Sequence, residues 1–121
     1  VTTTLQRVER LTFPLTEEQR LVAQTAATFA SQRLFAGAAA RDRSGHYPPE
    51  LLAAVAELDL LAMKVPTDEG GAGADNVGYA LAMEAIAEAC ASTAAILAAS
   101  NLSSKILADH ASPQQRQRWL R

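Results

Sequence analysis

No run of this chain alternates apolar and polar residues with the period of two that a half-buried strand requires, whereas helical punctuation recurs along its length. "PLTEEQR" offers Thr16 as an N-cap with Gln19 three residues on, the capping-box spacing. Glu17 and Glu18 fall in the first turn, where the helix dipole favours negative charge. "SPQQRQRWL" repeats the logic with Ser112 at the N-cap, Pro113 at N1 and Gln115 at N3. Between these signals Val22, Ala26, Phe29 and Ala30 share one helical face, and Gly37 is expected to interrupt that helix. "RDRSGHYPPE" has the glycine and proline content of a loop, with Pro49 opening the next helix. There Leu51, Leu52, Val55 and Leu58 form a stripe expected to be buried. "LLAMKVP" should end that helix and run extended before Pro66. Asp75 is placed to cap a third long helix that carries Met83, Ile86 and Cys90 inward. Ser92 is placed to cap a fourth, with Ile96, Leu97, Leu102 and Ile106 as its apolar content. The expected fold is all-α, a helical bundle.

The 121 residues suffice for one compact domain and not for two. Residues 1–12 are polar and weakly patterned and are expected to form a flexible N-terminal arm, with the helical domain over 13–121. A net charge of −2 gives no electrostatic footprint for nucleic acid. "VTTTLQRVER" lacks the apolar centre of a secretory signal. The apolar stretch from Tyr79 to Ser100 is broken by Glu84 and Glu88 and is rich in alanine, which argues against a transmembrane segment. A single cysteine, Cys90, permits no disulfide within the chain and fits a reducing compartment; the expected location is cytoplasmic.

The glycine-rich stretch "VPTDEGGAGAD" raises the question of a phosphate grip. A P-loop needs lysine and Ser/Thr directly after its last glycine, and Ala74, Asp75 and Asn76 stand there instead. No βαβ unit surrounds it, and Asp68, Glu69 and Asp75 would repel an anion. The glycines are better read as a tight turn between helices. His46 and His110 have no partners at metal-ligand spacing, so no metal site is expected. His46 beside Asp42 could form a base and its orienter, but a solvated loop is the commoner meaning of such a pair. Cys90 suits a small core residue better than a nucleophile, and Glu84 with Glu88 suits an exposed acidic face.

The order of the motifs carries more. "FPLTEEQR", then "ARDRSGHYPPELLAAVAELDLLAMKVP", "GGAGAD", "YALAMEAIAEACASTAAI" and "SPQQRQRWL" follow one another as in the N-terminal helical domain of flavin-dependent acyl-CoA dehydrogenases, which this chain resembles from about Phe13 to Arg121. Three positions depart from the family's usual pattern. Glu69 stands where an aromatic is common, Asp59 where a glycine often ends the helix, and Gly37 where proline is frequent.

The resemblance implies an oxidoreductase that converts acyl-CoA to 2-enoyl-CoA with FAD and passes electrons to an electron-transfer flavoprotein, as a homo- or hetero-oligomer. It also implies that the middle β-domain and the second helical bundle, which carry most of the FAD contacts, most of the acyl-CoA contacts and the catalytic glutamate, lie beyond this stretch. No catalytic residue is therefore assigned here, and the isolated chain is expected to be inactive and not to retain FAD. What the domain contributes, by resemblance, is one wall and the floor of the acyl cavity. Ala95, Ala99, Leu102 and Ser103 are the closest matches to floor positions. Ala95, Ala99 and Leu102 share a helical face, and small residues so spaced would equally let two helices pack closely. Two other readings keep the fold. In one the domain serves a related acyl-CoA oxidase, nitroalkane oxidase or flavin monooxygenase. In the other it is a non-catalytic helical subunit whose partner chain supplies the flavin site.

Overall fold

The computed structural model describes residues 14–120, so the expected arm over 1–12, with Phe13 and Arg121, lies outside the described residues. Helix α1 spans Glu17–Phe29 and runs on through a π turn, Ala30–Leu34, and a 3-10 turn, Phe35–Gly37, into α2, Ala38–Ser44. After a short loop come α3, Pro49–Glu57, a 3-10 turn at Thr67–Glu69, α4, Asn76–Ala89, α5, Ala91–His110, and α6, Pro113–Trp119. There is no strand among the described residues, as the absence of period-2 patterning requires.

The main layer is α1 against α4, with α5 packed on α4 and α6 on the end of α5. Alanine makes the first contact close: Ala23, Ala26 and Ala82 are fully buried and Ala85 nearly so. Larger side chains close the core at Leu34, Val55, Met63, Ile86 and Leu97, each 0–1% exposed. Burying a side chain of that size stabilises the fold by about 1.5–3 kcal/mol.

Both capping boxes form. Thr16 Oγ1 accepts from Gln19 N at 3.1 Å while Gln19 Oε1 accepts from Thr16 N at 3.0 Å. Ser112 and Gln115 repeat the pair at 3.3 and 2.9 Å, and Pro49 and Pro113 sit in first turns as expected. Asp75 caps α4, its Oδ1 accepting from Gly78 N at 2.7 Å.

Five local expectations change. The first helix leaves α geometry at Ala30, seven residues before Gly37. The carbonyl of Leu34, at the junction of the π and 3-10 turns, accepts from Arg41 Nη2 at 2.6 Å. A Cβ on Gly37 would lie 2.5 Å from Arg41 Nη1, so glycine there makes room for the guanidinium that serves Leu34. Second, Arg41 to Ser44 belong to α2, which ends at left-handed Gly45, so the loop shrinks to residues 45–48. Third, in α3 only Leu51 and Val55 are buried; Leu52 is 38% and Leu58 36% exposed. Four leucine and valine positions span a wider arc than one core contact covers. Fourth, residues 58–65 pass through turns and bends, not an extended segment. Fifth, the N-cap of α5 is Cys90, not Ser92, because Cys90 alone takes extended backbone angles between two helices that are otherwise continuous.

Candidate functional site

Helix α5 has two distinct faces. Inward it presents Thr93, Ala94, Leu97, Asn101 and Ala108, all buried. Outward, at about 100° per residue, Ala95, Ala99, Leu102, Ser103 and Ile106 fall within one arc. The four residues expected to floor an acyl cavity are therefore brought to one surface, and all four are exposed. Leu102 is 64% exposed and Ile106 51%. Among the described residues no neighbouring helix buries Ala95 or Ala99. Ser103 Oγ donates to the Ala99 carbonyl at 2.9 Å, so its hydroxyl is turned back on the helix and the face is effectively apolar.

The inward face is held by polar side chains that the sequence reading did not single out. Asn101, 2% exposed, accepts from Met63 N at 2.7 Å through Oδ1. Its Nδ2 donates to the carbonyls of Leu60 at 2.8 Å and Leu97 at 2.9 Å. Ser100 Oγ donates to the Leu61 carbonyl at 2.9 Å. At the other end, the hydroxyls of Thr93 and Tyr47 are 3.1 Å apart in a hydrogen bond. An asparagine at an inward position of an alanine- and leucine-rich helix was the available signal, since a buried amide must find partners.

The other chemical candidates resolve into structure. In the glycine-rich stretch Gly70 and Gly73 are left-handed. The N–H groups of residues 69–74 donate to the carbonyls of Pro66, Thr67, Ala62, Val65 and Met63. With those donors spent inside the turn, the loop offers no phosphate cradle. Cys90 is buried in the core at the α4–α5 junction. Burial pushes its thiol pKa up, but hydrogen bonds with Thr93 and Arg41 outweigh this and hold it below the usual thiol value. His46 and Asp42 are exposed on the α2–α3 loop and the adjoining helix, and Glu84 and Glu88 are exposed on α4. No group of three or more potential metal ligands exists among the described residues, and no described helix is long and apolar enough to cross a membrane. An open groove of about 450 Å³ between α1 and α3, lined by Leu21, Phe29, Ala54 and Leu58 among others, lies on different elements from the outward face of α5.

Comparisons with known proteins bear on the fold and the family. Residues 16–121 match the family model of the acyl-CoA dehydrogenase N-terminal domain. The mitochondrial short-chain specific acyl-CoA dehydrogenase of Mus musculus is 38% identical over 107 residues, covering 88% of this chain and 26% of that protein. The structure of butyryl-CoA dehydrogenase from Megasphaera elsdenii superposes with a TM-score of 0.80 at 26% identity, over 91% of this chain and 30% of that one. Nitrososynthase from Micromonospora carbonacea var. africana superposes with a TM-score of 0.71 at 33% identity, over 90% of this chain and 31% of that one. The chain thus spans about a quarter of the length of the curated relatives it matches. With the same succession of helices and a family match over nearly its whole length, the chain belongs to the acyl-CoA dehydrogenase N-terminal domain family.

Proposed function

We propose that residues 13–121 are the N-terminal domain of a FAD-linked acyl-CoA dehydrogenase and that the outward face of α5 floors its acyl-chain pocket. The observation that carries this reading is the apolar face itself: Leu102 and Ile106 are more than half exposed on a helix whose other side is fully packed. Such a face gains by being covered. Ala95 and Ala99 leave depth beside Leu102, which suits a long or bulky acyl group. The family match and the butyryl-CoA dehydrogenase likeness support an acyl-CoA substrate. A likeness to a chain in the structure of the electron transferring flavoprotein of Acidaminococcus fermentans supports electron-transfer flavoprotein as acceptor in the complete enzyme. We place the enzyme in the cytoplasm as an oligomer; cell fractionation tests the first and sedimentation the second.

The described residues do not by themselves fit FAD. Their buried polar side chains Thr93 and Asn101 have partners inside the fold, and the glycine-loop donors are spent. The one buried side-chain donor without a partner, Arg41 Nε, belongs to a guanidinium already turned onto the Leu34 carbonyl. The flavin, which would accept the hydride, is assigned to the rest of the complete enzyme.

The test is Ala99→Leu in the complete enzyme, with kcat/KM measured on butyryl-, octanoyl- and palmitoyl-CoA. A methylene in an apolar pocket is worth about 1–3 kcal/mol, so the variant should lose roughly ten- to a hundredfold more activity on long substrates than on short ones. Equal losses at every length would sink the floor assignment. The nitrososynthase likeness favours one second reading, the same domain in an oxidase or monooxygenase. Turnover of acyl-CoA without oxygen, using an artificial acceptor, separates the dehydrogenase from it.

A further inference from the structure

The outward face of α5 is useful as a floor only if the helix is held at one rotation. The buried side of α5 shows what holds it. Leu97 and Ala94 contribute apolar contact, which is non-directional and tolerates small rotations. Beyond the Thr93–Tyr47 hydrogen bond near the start of the helix, the directional contacts come from Asn101 and Ser100, both reaching the same short turn after α3 and both next to the outward residues Ala99 and Leu102. Asn101 accepts from Met63 N and donates to the Leu60 carbonyl, 2.7 and 2.8 Å, while Ser100 Oγ reaches the intervening Leu61 carbonyl at 2.9 Å. Its third bond, to the Leu97 carbonyl one turn back, fixes the amide plane relative to the helix itself.

That turn is itself well anchored. The Asp59 and Leu60 N–H groups close the end of α3 onto Ala56 and Val55. The Met63 carbonyl accepts from Ala74 N at 2.7 Å and the Ala62 carbonyl from Ala72 N at 3.3 Å, tying the turn to the glycine-rich stretch. Asn101 therefore locks α5 to a rigid reference and not to another mobile side chain. Leu102 follows it directly in sequence, so any change in the clamp passes to the floor without an intervening element. With side chains extending about 5 Å from the helix axis, a rotation of some 15° moves the outward side chains by about 1 Å.

We propose that Asn101, assisted by Ser100, is the positioning residue that sets the rotation of α5 and thereby the depth of the acyl pocket and its chain-length preference. This inference rests on the floor reading above. Asn101 touches no substrate in this account; it acts through Ala99, Leu102 and Ser103.

The experiment uses the complete enzyme and the ratio of kcat/KM for palmitoyl-CoA to that for butyryl-CoA. Asn101→Ala should shift that ratio by about tenfold, the discrimination commanded by one methylene of depth. Ser100→Ala should shift it the same way by a smaller factor, about two- to threefold, and Ser100→Thr, which keeps the hydroxyl, should restore the parent ratio. Leu102→Ala is the control on the floor. If Leu102→Ala moves the ratio and the Asn101 and Ser100 variants lower both substrates equally, Asn101 is a packing residue and the inference is wrong while the floor stands. If Leu102→Ala leaves the ratio unchanged, the floor reading fails and takes the inference with it. Should Asn101→Ala not fold, Ser100→Ala against Ser100→Thr decides by the same ratio.

Discussion

At the end of α3 a carboxylate occupies a place that suits glycine. Asp59 has φ 56°, and the bonds from Leu60 N to the Val55 carbonyl and from Asp59 N to the Ala56 carbonyl make a Schellman motif with Asp59 at C′. Its Cβ crowds the backbone there, and its charge faces the negative end of the helix dipole. Asp59→Gly should raise stability by roughly 0.5–1 kcal/mol, less the entropy glycine adds to the unfolded chain. Thermal or urea melts check it, and a lower midpoint in the variant would contradict the motif. Asp59→Asn separates the two causes, since it removes charge and keeps the Cβ. Gly71 is the converse case. A Cβ there would fall 2.2 Å from the Val65 carbonyl oxygen and 2.5 Å from that of Ala62, backbone atoms that cannot step aside alone. Gly71→Ala should destabilise by about 2 kcal/mol or more by the same melts.

Among the elements, the joint between the starts of α1 and α4 is electrostatic. Gln19 completes the first capping box through Oε1 and, through Nε2, donates to Asp75 Oδ2 at 2.7 Å. Asp75 Oδ1 meanwhile caps α4. The Gly78 N–H and the Gln19 amide both favour the ionised carboxylate and hold the Asp75 pKa below its ordinary value. A carboxyl with a depressed folded pKa adds stability above its unfolded pKa, about 3.9, and loses it as pH falls through the folded value. Asp75→Ala should therefore melt earlier than the parent near neutral pH, and the gap between the two should shrink as pH drops below about 4. A gap that is constant with pH would show that the cap acts as a neutral hydrogen bond only.

For the molecule as a whole, the distribution of apolar surface is the telling feature. Leu21, Phe35, Leu102, Ile106 and Trp119 are each more than half exposed, on α1, the 3-10 turn, α5 and α6, while the core between α1, α4 and α5 is closed. Among the described residues, the buried side chains of Thr93 and Asn101 and the N–H groups of the glycine-rich turn are committed inside the fold, and Arg41 Nε is the buried side-chain donor without a partner. The 121-residue chain, mixed with FAD and desalted, should come through colourless, as absorbance in the visible flavin band would show. Stoichiometric yellow protein would mean that the domain contains a flavin site of its own.

How much of this was legible depends on how local the physics is. Capping is local: Thr16, Asp75 and Ser112 act on N–H groups three residues away, and all three caps were readable from spacing alone. Helical class was readable for the same reason. Burial is not local. Leu52 and Leu58 look like core beside Leu51 and Val55, yet only packing against α1 and the 58–63 turn decides which of the four is covered. The end of the first helix was hidden as well, because the cause of Gly37 is a guanidinium four residues on that reaches back to Leu34. The residues proposed for the floor, Ala95, Ala99, Leu102 and Ser103, came from family resemblance, and their common exposure emerged only from the fold. Asn101 went unseen because its partners lie about forty residues away, at Leu60 and Met63. The sequence by itself determined the kind of fold and the helix starts marked by a side-chain cap, at Thr16, Asp75 and Ser112, since those depend on neighbours along the chain; the start of α5 at Cys90, which has no side-chain cap, was not among them. Tertiary structure alone decided which face of α5 is locked inward and which is presented, because that depends on a turn about forty residues earlier in the chain.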